Sequence, residues 1–249
     1  PVPPSGRVGT IVRAESTVSH ASPVCLEWSV ADFDEKGIEI SIPKNLSGGE
    51  QLPPIRVRGY IDRVDILPLD ESTKEWLDPD GEESVAPLRI HGSGWRPRRL
   101  VAIRDLKTSE SKAAKIRHSD GLLDELQLAL YARAWEIAHP GDLVVAAGIS
   151  LFSHHTEHML ELSSHYSAAH RDLLLGTRTD ITTSLHRFPD EPASPHSDHF
   201  RAWLTQRLAV ALRVAAGAAA GRVHPTPSPG VCGYCPVRNV CEVRMEAGF

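Results

Sequence analysis

The chain has no run of about eighteen apolar residues, so its sequence offers no candidate membrane-spanning helix. It also has no excess of positive charge, because it contains 27 Lys and Arg residues and 32 Asp and Glu residues, which gives a formal net charge of −5. Composition therefore gives no support for nucleic-acid binding, which must come from local sites if it occurs. The motifs GxSxG, Walker A and GxGxxG are missing too, so no ATPase is visible.

Methionine is lacking at the start, and so is a signal-peptide pattern, since the chain opens Pro1-Val2-Pro3-Pro4. We therefore expect a cytoplasmic protein and a fragment of a longer chain. The 249 residues, 41% of them hydrophobic, are enough for one sizeable core. We predict a linker or truncated start at 1–22, a core at 23–223 with an insert at 70–98, and a C-terminal segment at 224–249.

Cysteine is scarce, with four residues, but three of them lie together as Cys232, Cys235 and Cys241 in a C-x2-C-x5-C pattern. Without a secretory signal, such a cluster indicates metal ligands rather than disulfides. Iron–sulfur clusters usually take four thiolates, and zinc takes four cysteines or three with a histidine. The C-x5-C spacing is less typical of zinc.

Apolar patterning predicts strands at 24–31, 38–42, 55–67 and 100–105, and a hairpin of strands at 143–152 and 157–162. Helical periodicity covers 122–138, where His139-Pro140-Gly141 ends the helix, and further helices are predicted at 166–177 and 200–220. The two strands at 55–67 and 100–105 end in carboxylates, which makes them the most informative part of the chain.

The candidate catalytic residues are Asp62 on the first of these strands and Asp105 and Lys107 on the second. Residues i and i+2 of a strand share a face, so Asp105 and Lys107 project together. Two carboxylates on adjacent strands can hold a divalent metal that activates water, and a lysine can stabilise charge on a phosphate. A bare D-x-K pattern more often marks only a strand end, so the following helix matters.

That helix carries Gln127 and Tyr131, which are four residues apart and therefore lie on one helix face. Either side chain can hydrogen-bond a phosphate or a catalytic water, and the alternative is an ordinary polar helix rim. The ordered set Gly59-x-Ile-Asp-Arg-Val-Asp, Asp105-x-Lys-Thr-Ser, Gln127-Leu-x-Leu-Tyr-Ala and C-x2-C-x5-C closely resembles the RecB-type PD-(D/E)XK nucleases. Within that branch it is most similar to the iron–sulfur nuclease domain of AddB and AdnB helicase–nucleases.

The resemblance implies an α/β restriction-endonuclease-like fold, with a mixed central sheet flanked by helices and a C-terminal Cys-rich segment. It implies that Asp62 and Asp105 bind Mg2+ or Mn2+ and that Lys107, Gln127 and Tyr131 complete the catalytic site. Asp65 is three residues beyond Asp62 and points the other way on a regular strand, so we expect it to be accessory. It also implies a 4Fe–4S cluster on the three tail cysteines, whose fourth ligand lies far upstream. Cys25 is the one candidate in this chain, and a buried structural thiol is its alternative.

Other expectations concern histidines and DNA contacts. The family often has an upstream catalytic histidine, and His20 is the one upstream histidine here, in a context that does not look helical. His154, His155 and His158 favour a polar hairpin turn over a metal site. The expected DNA contacts are basic residues near the catalytic strand, for which solvated loop charge is the alternative: Arg63, Arg96, Arg98, Arg99, Lys112, Lys115 and Arg117.

We therefore expect a metal-dependent deoxyribonuclease of the exonuclease type, acting on single-stranded DNA beside a helicase subunit or domain in end processing, recombination and repair. One alternative is a catalytically silent DNA-binding or scaffold module that keeps the fold and the cluster. The other is a nuclease associated with CRISPR adaptation, which shares the cysteine tail and differs in its partners.

Overall fold

The computed structural model describes residues 22–31, 36–67, 77–78, 84–90, 92–108, 126–152, 157–162 and 199–222, and in the tail residues 232, 235–236 and 239–243. Contacts divide the chain into two units, residues 1–212 and residues 213–249. Several predicted features lie outside the described residues: the segment 1–21 with His20, the helix at 166–177, Lys112, Lys115, Arg117, His154 and His155.

Five strands form the main sheet in the order β1–β4–β5–β6–β7. They are β1 (Ser22–Ser29), β4 (Tyr60–Ile66), β5 (Arg99–Thr108), β6 (Asp142–Phe152) and β7 (Glu157–Leu162). β5 and β6 run parallel and the other neighbours antiparallel, so the predicted mixed sheet is confirmed. A second sheet pairs β2 (Ile38–Ile40) with β3 (Ile55–Val57), and one 3-10 turn covers Lys44–Leu46.

Two helices accompany the sheet, α1 (Leu126–Ala138) and α2 (His199–Ala219). α1 connects the parallel strands β5 and β6, as a parallel pair requires. It ends where the sequence predicts: the His139 amide donates to the Trp135 carbonyl at 2.8 Å, and Gly141 takes a φ of +93° that turns the chain into β6. Neither described helix is long and apolar enough to cross a membrane.

The predicted single strand at 55–67 is wrong, because the chain breaks there into β3 and β4 in two different sheets. The break falls at Arg58 and Gly59, and Gly59 has a φ of +152°, a backbone conformation that residues other than glycine rarely adopt. The Gly59 carbonyl accepts the Val30 amide at 2.9 Å, so β4 starts directly beside β1. This break positions the strand that carries Asp62.

The core has two clusters, and strand alternation sorts residues between them. Val64, Val101 and Ile103 join the larger cluster with apolar residues of α1 and of the start of α2, including Leu128, Ala132, Phe200 and Trp203. Leu100, Ala102 and Leu143 join the smaller one with Ala86 from the predicted insert. The insert therefore contributes to the core, where each fully buried Leu or Ile stabilises the fold by roughly 1.5–3 kcal/mol.

Candidate active site

Strands β4 and β5 bring Asp62 to the site of Asp105 and Lys107. Arg63 of β4 is the ladder partner of Arg104 of β5. Because the strands are antiparallel, the residue before Arg63 and the residue after Arg104 lie opposite each other, so Asp62 and Asp105 share a face of the sheet. Asp62 Oδ2 accepts the backbone N–H of Leu106 at 2.6 Å. Because Leu106 lies between Asp105 and Lys107, this bond fixes the first carboxylate beside the second.

Asp105 and Lys107 meet as strand alternation predicts. The Lys107 Nζ lies 2.8 Å from Asp105 Oδ2, and the two side chains are 39% and 7% exposed respectively. The ammonium therefore reaches solvent while the carboxylate is almost enclosed. An incoming phosphate can therefore reach the Lys107 charge without displacing the core.

Gln127 and Tyr131, the two candidate residues on α1, lie near the start of β4 because Tyr131 packs against the backbone of Gly59. Gln127 Nε2 donates to the Tyr131 hydroxyl at 3.0 Å, and Tyr131 is buried whereas Gln127 is exposed. A β-carbon added at Gly59 would overlap the Tyr131 hydroxyl and lie 3.2 Å from two carbons of its ring. The start of β4 is thus packed directly on α1, and the two sequence motifs meet in space.

The donor set suits a hard divalent cation that keeps part of its water shell. Mg2+ is typically bound by one or two carboxylates with several waters, and Asp62 and Asp105 supply two carboxylates on adjacent strands. Within the described residues, no group of three or more His, Cys, Asp or Glu side chains is assembled that could hold a metal ion. The acid pair therefore fits Mg2+ or Mn2+ better than a metal that requires an all-protein cage.

The charged residues on the other face of β4 form a buried ion-pair group. Asp65 is fully buried, and its two carboxylate oxygens lie 2.8 Å from Arg63 Nε and 2.9 Å from Arg104 Nε. Arg63, which the sequence placed among the DNA contacts, has a side chain that is 10% exposed. Its placement favours a role in fixing β4 against β5. Removing one member of such a buried pair usually costs about 3–5 kcal/mol.

Arg98 and Arg99 lie at the opposite end of β5 from the acid pair, contrary to the expectation that they flank it. Arg99 and Asp105 are six positions apart on the strand, which corresponds to roughly 20 Å. Arg99 makes a bidentate ion pair with Asp142 at 2.7 and 2.9 Å, and Trp135 Nε1 donates to the same carboxylate at 3.0 Å. The predicted strand at 100–105 already separates these arginines from Asp105, so the expectation that they flank the acid pair did not follow from the strand itself.

One buried charge went unnoticed in the sequence, namely Glu136 on α1, which is fully buried. Its carboxylate pairs with Arg133 at 3.0 Å and with Arg201 of α2, and it accepts the Val144 amide of β6 at 3.2 Å. Burial lowers the pKa of Arg133, and Glu136 opposes that shift. In the sequence Arg133 and Glu136 look like an exposed i, i+3 pair, so no local signal reveals this group.

The C-terminal cysteines lie in the unit of residues 213–249. Cys232 is buried, Cys235 and Cys241 are partly buried, and all four cysteines of the chain, each of them described, are free thiols. The Cys235 amide donates to the Cys232 carbonyl at 3.4 Å. Three thiols fall short of the four thiolates that iron–sulfur clusters usually take. Cys25 lies on β1 in the other unit.

Fold and site together define a class of protein, in which a mixed α/β sheet presents two carboxylates and a lysine suited to metal-dependent hydrolysis. A model of the PD-(D/E)XK nuclease superfamily matches residues 89–242, which is more than half of the chain. The chain belongs to this superfamily, and membership indicates a metal-dependent nuclease. The match includes Asp105 and Lys107 and begins after Asp62. No curated protein matches the chain.

Proposed function

We propose that this chain is a deoxyribonuclease of the exonuclease type that uses Mg2+ or Mn2+ at Asp62 and Asp105. The observation that carries the proposal is the 2.6 Å hydrogen bond from the Leu106 amide to Asp62, which brings both carboxylates and Lys107 to one point of the sheet. The superfamily match supports nuclease chemistry, and the choice of DNA, of the metal and of strand ends rests on the motif resemblance.

The residues perform the hydrolysis in defined roles. When bound, the divalent cation lowers the pKa of a water ligand and offsets charge on the phosphate. The carboxylates of Asp62 and Asp105 would hold that cation, and the Leu106 amide hydrogen bond fixes the orientation of the Asp62 carboxylate. Lys107 presents its ammonium to the scissile phosphate and stabilises the charge that grows there as water attacks phosphorus and the P–O bond breaks.

Substituting the two acids tests the proposal. The wild-type chain should degrade linear DNA with Mg2+ or Mn2+ and be inactive in EDTA. Asp62→Asn and Asp105→Asn should each lower the cleavage rate by roughly 100-fold or more, because each removes a metal-binding charge. Asp78→Asn is the matched control and should cleave at the wild-type rate. Wild-type cleavage by Asp105→Asn would overturn the site.

We also propose that the protein works beside a helicase subunit or domain in DNA end processing, recombination and repair, on single strands that the helicase releases. This context rests on the resemblance to AddB- and AdnB-type nucleases. The three tail cysteines are proposed to bind a 4Fe–4S cluster, with Cys25 the predicted fourth ligand from the sequence. Their support is the C-x2-C-x5-C spacing and the free thiol state of all three.

A second candidate is a catalytically silent DNA-binding module. One observation favours it: the superfamily match begins at residue 89 and so does not include Asp62, the first of the two acids. Isothermal titration calorimetry with Mn2+ separates the two candidates. A nuclease should show a binding heat in the wild-type protein that is lost in Asp105→Asn. A silent module should give the same heat with both proteins.

A further inference from the structure

A pocket of about 660 Å3 opens beside the strand that carries Asp62. Its volume lies in the range of small-ligand sites. Its wall contains two aromatic rings, those of Trp28 and His139, and its polar groups are the side chains of Glu39 and Arg56. Trp28 is the ladder partner of Ile61, the residue immediately before Asp62, so one wall of the pocket is paired with the catalytic strand itself.

The aromatic wall is held rigidly by its neighbours. Trp135 meets Trp28 edge-on at a centroid distance of 5.1 Å and stacks on His139 at 3.7 Å with an interplanar angle of 17°. His139 Nδ1 lies 3.1 Å from the Trp135 carbonyl, which fixes the ring further. Burial lowers the pKa of His139, which favours the neutral form of the ring. A planar ligand therefore meets a preformed, uncharged aromatic surface.

The polar residues complement the aromatic wall. Arg56 and Glu39 form an ion pair at 3.2 Å, and each side chain is about half exposed, at 51% and 53%. An exposed pair of this kind contributes only about 0–1 kcal/mol. Arg56 Nη1 also donates to the Gly37 carbonyl at 3.4 Å, which keeps the guanidinium at the pocket. The guanidinium suits a phosphate oxygen, and the carboxylate accepts from the exocyclic amino group of a nucleobase.

We infer that this pocket binds an unpaired nucleobase of a single-stranded nucleic acid, with the ring against Trp28 and the adjoining phosphate at Arg56. The inference rests on the proposed nuclease function, because that function selects a nucleic acid over the other planar anions that a tryptophan ring and an arginine can bind. A base in a single strand exposes a π face that aromatic side chains can stack on, whereas a base within a duplex is covered by its neighbours. The pocket thus favours single-stranded or frayed substrate at the catalytic strand.

The test compares the full chain with Trp28→Leu, Trp28→Phe and Arg56→Gln. Binding in EDTA is measured for a short single-stranded DNA of mixed sequence and for an abasic strand of equal length, which keeps the phosphates and lacks the bases. Trp28→Leu should weaken binding of the base-bearing strand by roughly 5- to 150-fold and leave the abasic strand unchanged. Trp28→Phe should retain most of the affinity.

Arg56→Gln should weaken the binding of both the base-bearing and the abasic strand, because it removes a phosphate contact. The control is Arg89→Gln, at an exposed arginine outside the pocket, which should reduce the affinity for each strand only by the effect of one lost surface charge. Folding of each variant is verified by thermal melting. Equal binding by wild type and folded Trp28→Leu would overturn the inference, and so would an equal loss on both strands. Wild-type cleavage alongside either result would leave the nuclease proposal standing. Base-dependent loss in Trp28→Leu without any wild-type cleavage would uphold the pocket and refute the nuclease.

Discussion

Asp62 and Asp65 show how one strand can use two carboxylates in opposite ways. Asp62 is partly exposed and bonded to the Leu106 amide, whereas Asp65 is fully buried and paired with Arg63 and Arg104. Three positions of separation put the two side chains on opposite faces of β4. One aspartate therefore faces the candidate metal position, and the other stabilises the sheet that carries it.

Gly59 allows the close approach of β4 to α1, so adding a methyl group there should disturb both. We predict that Gly59→Ala lowers the free energy of unfolding by about 1–3 kcal/mol, through overlap with the Tyr131 hydroxyl and an unfavourable φ. Denaturant unfolding measures the loss. Gly49→Ala is the matched control, because Gly49 also has a positive φ but no atom within 4 Å of an added β-carbon.

A double substitution sharpens this prediction. Tyr131→Phe removes the hydroxyl that the new methyl group would meet, so the double variant Gly59→Ala/Tyr131→Phe should lose less stability than the two single losses added together. Strict additivity, or a loss in Gly59→Ala no larger than in Gly49→Ala, would show that the Gly59–Tyr131 contact is not what requires glycine.

His139 should make the stability depend on pH in one direction. Burial holds its pKa below that of an unfolded histidine, which is about 6.5, while the Trp135 carbonyl and Asp142 offset part of the shift and Arg99 adds to it. Between the folded and unfolded pKa values the unfolded chain binds more protons. Stability is therefore complete above the unfolded value and falls as the pH drops toward the folded value.

The measurement is the unfolding free energy at about pH 7.5 and about pH 5 for wild type and His139→Gln. His139→Gln also removes the stacking of the imidazole on Trp135, which lowers stability at every pH. The comparison is therefore made between the stability that each protein loses from the higher to the lower pH, from which this constant loss drops out. We expect a smaller acid-dependent loss in the variant. An equal loss in both proteins would mean that His139 is not held in its neutral form.

At the scale of elements, α1 is bound to β6, to α2 and to the predicted insert by the buried ion-pair group of Glu136, Arg133 and Arg201. Arg133 Nη1 also donates to the Ala86 carbonyl, and Arg201 Nη2 donates to the Pro87 carbonyl, both at 2.6 Å. A single carboxylate thus organises two guanidinium groups from two helices. The helix that carries Gln127 and Tyr131 owes part of its position to this group.

We predict that Glu136→Gln lowers the unfolding free energy by about 3–5 kcal/mol, because it leaves two buried guanidinium groups without their carboxylate. Glu39→Gln is the control, since it breaks an ion pair that is half exposed and should cost at most about 1 kcal/mol. Chemical denaturation reports both values. A Glu136→Gln variant as stable as Glu39→Gln would contradict the proposed fastening of α1.

Periodicity in the sequence predicted the type of most described elements, including β5, α1 and the β6–β7 hairpin. It joined β3 to β4 because alternation continues through Gly59, whereas the structure separates them into two sheets at a glycine with a positive φ that packs against Tyr131. The pairing of Asp105 with Lys107 followed from strand alternation, which is local. The burial of Glu136 and the pocket at Trp28 depend on contacts between distant segments, which no local pattern encodes.

On the scale of the whole molecule, the parallel pair β5–β6 needs a long crossover, and the remaining sheet is built from antiparallel neighbours. β5 is the central strand, so Asp105 and Lys107 lie on the best-supported element of the sheet. Placing reactive groups on rigid central strands keeps their geometry fixed without a bound ligand. With a net charge of −5, the molecule's overall field does not attract nucleic acid, so the proposed DNA binding requires local basic groups.

The tail cysteines give a prediction at this scale. If they bind a 4Fe–4S cluster, anaerobically purified protein should be brown, and Cys235→Ser should abolish the visible absorbance and lower thermal stability. Cys25→Ser should have the same effect if Cys25 is the fourth ligand, and none if it is a structural thiol. Colourless protein with stoichiometric zinc would refute the iron–sulfur assignment.

The most direct test of the account is single-turnover cleavage of linear single-stranded DNA with Mg2+ or Mn2+ by wild type and Lys107→Ala, with Mn2+ affinity measured on both. We predict that Lys107→Ala binds the metal through Asp62 and Asp105, yet cleaves more slowly by roughly 100-fold or more, because the charge on the phosphate is no longer stabilised. Cleavage by Lys107→Ala at the wild-type rate would contradict the account.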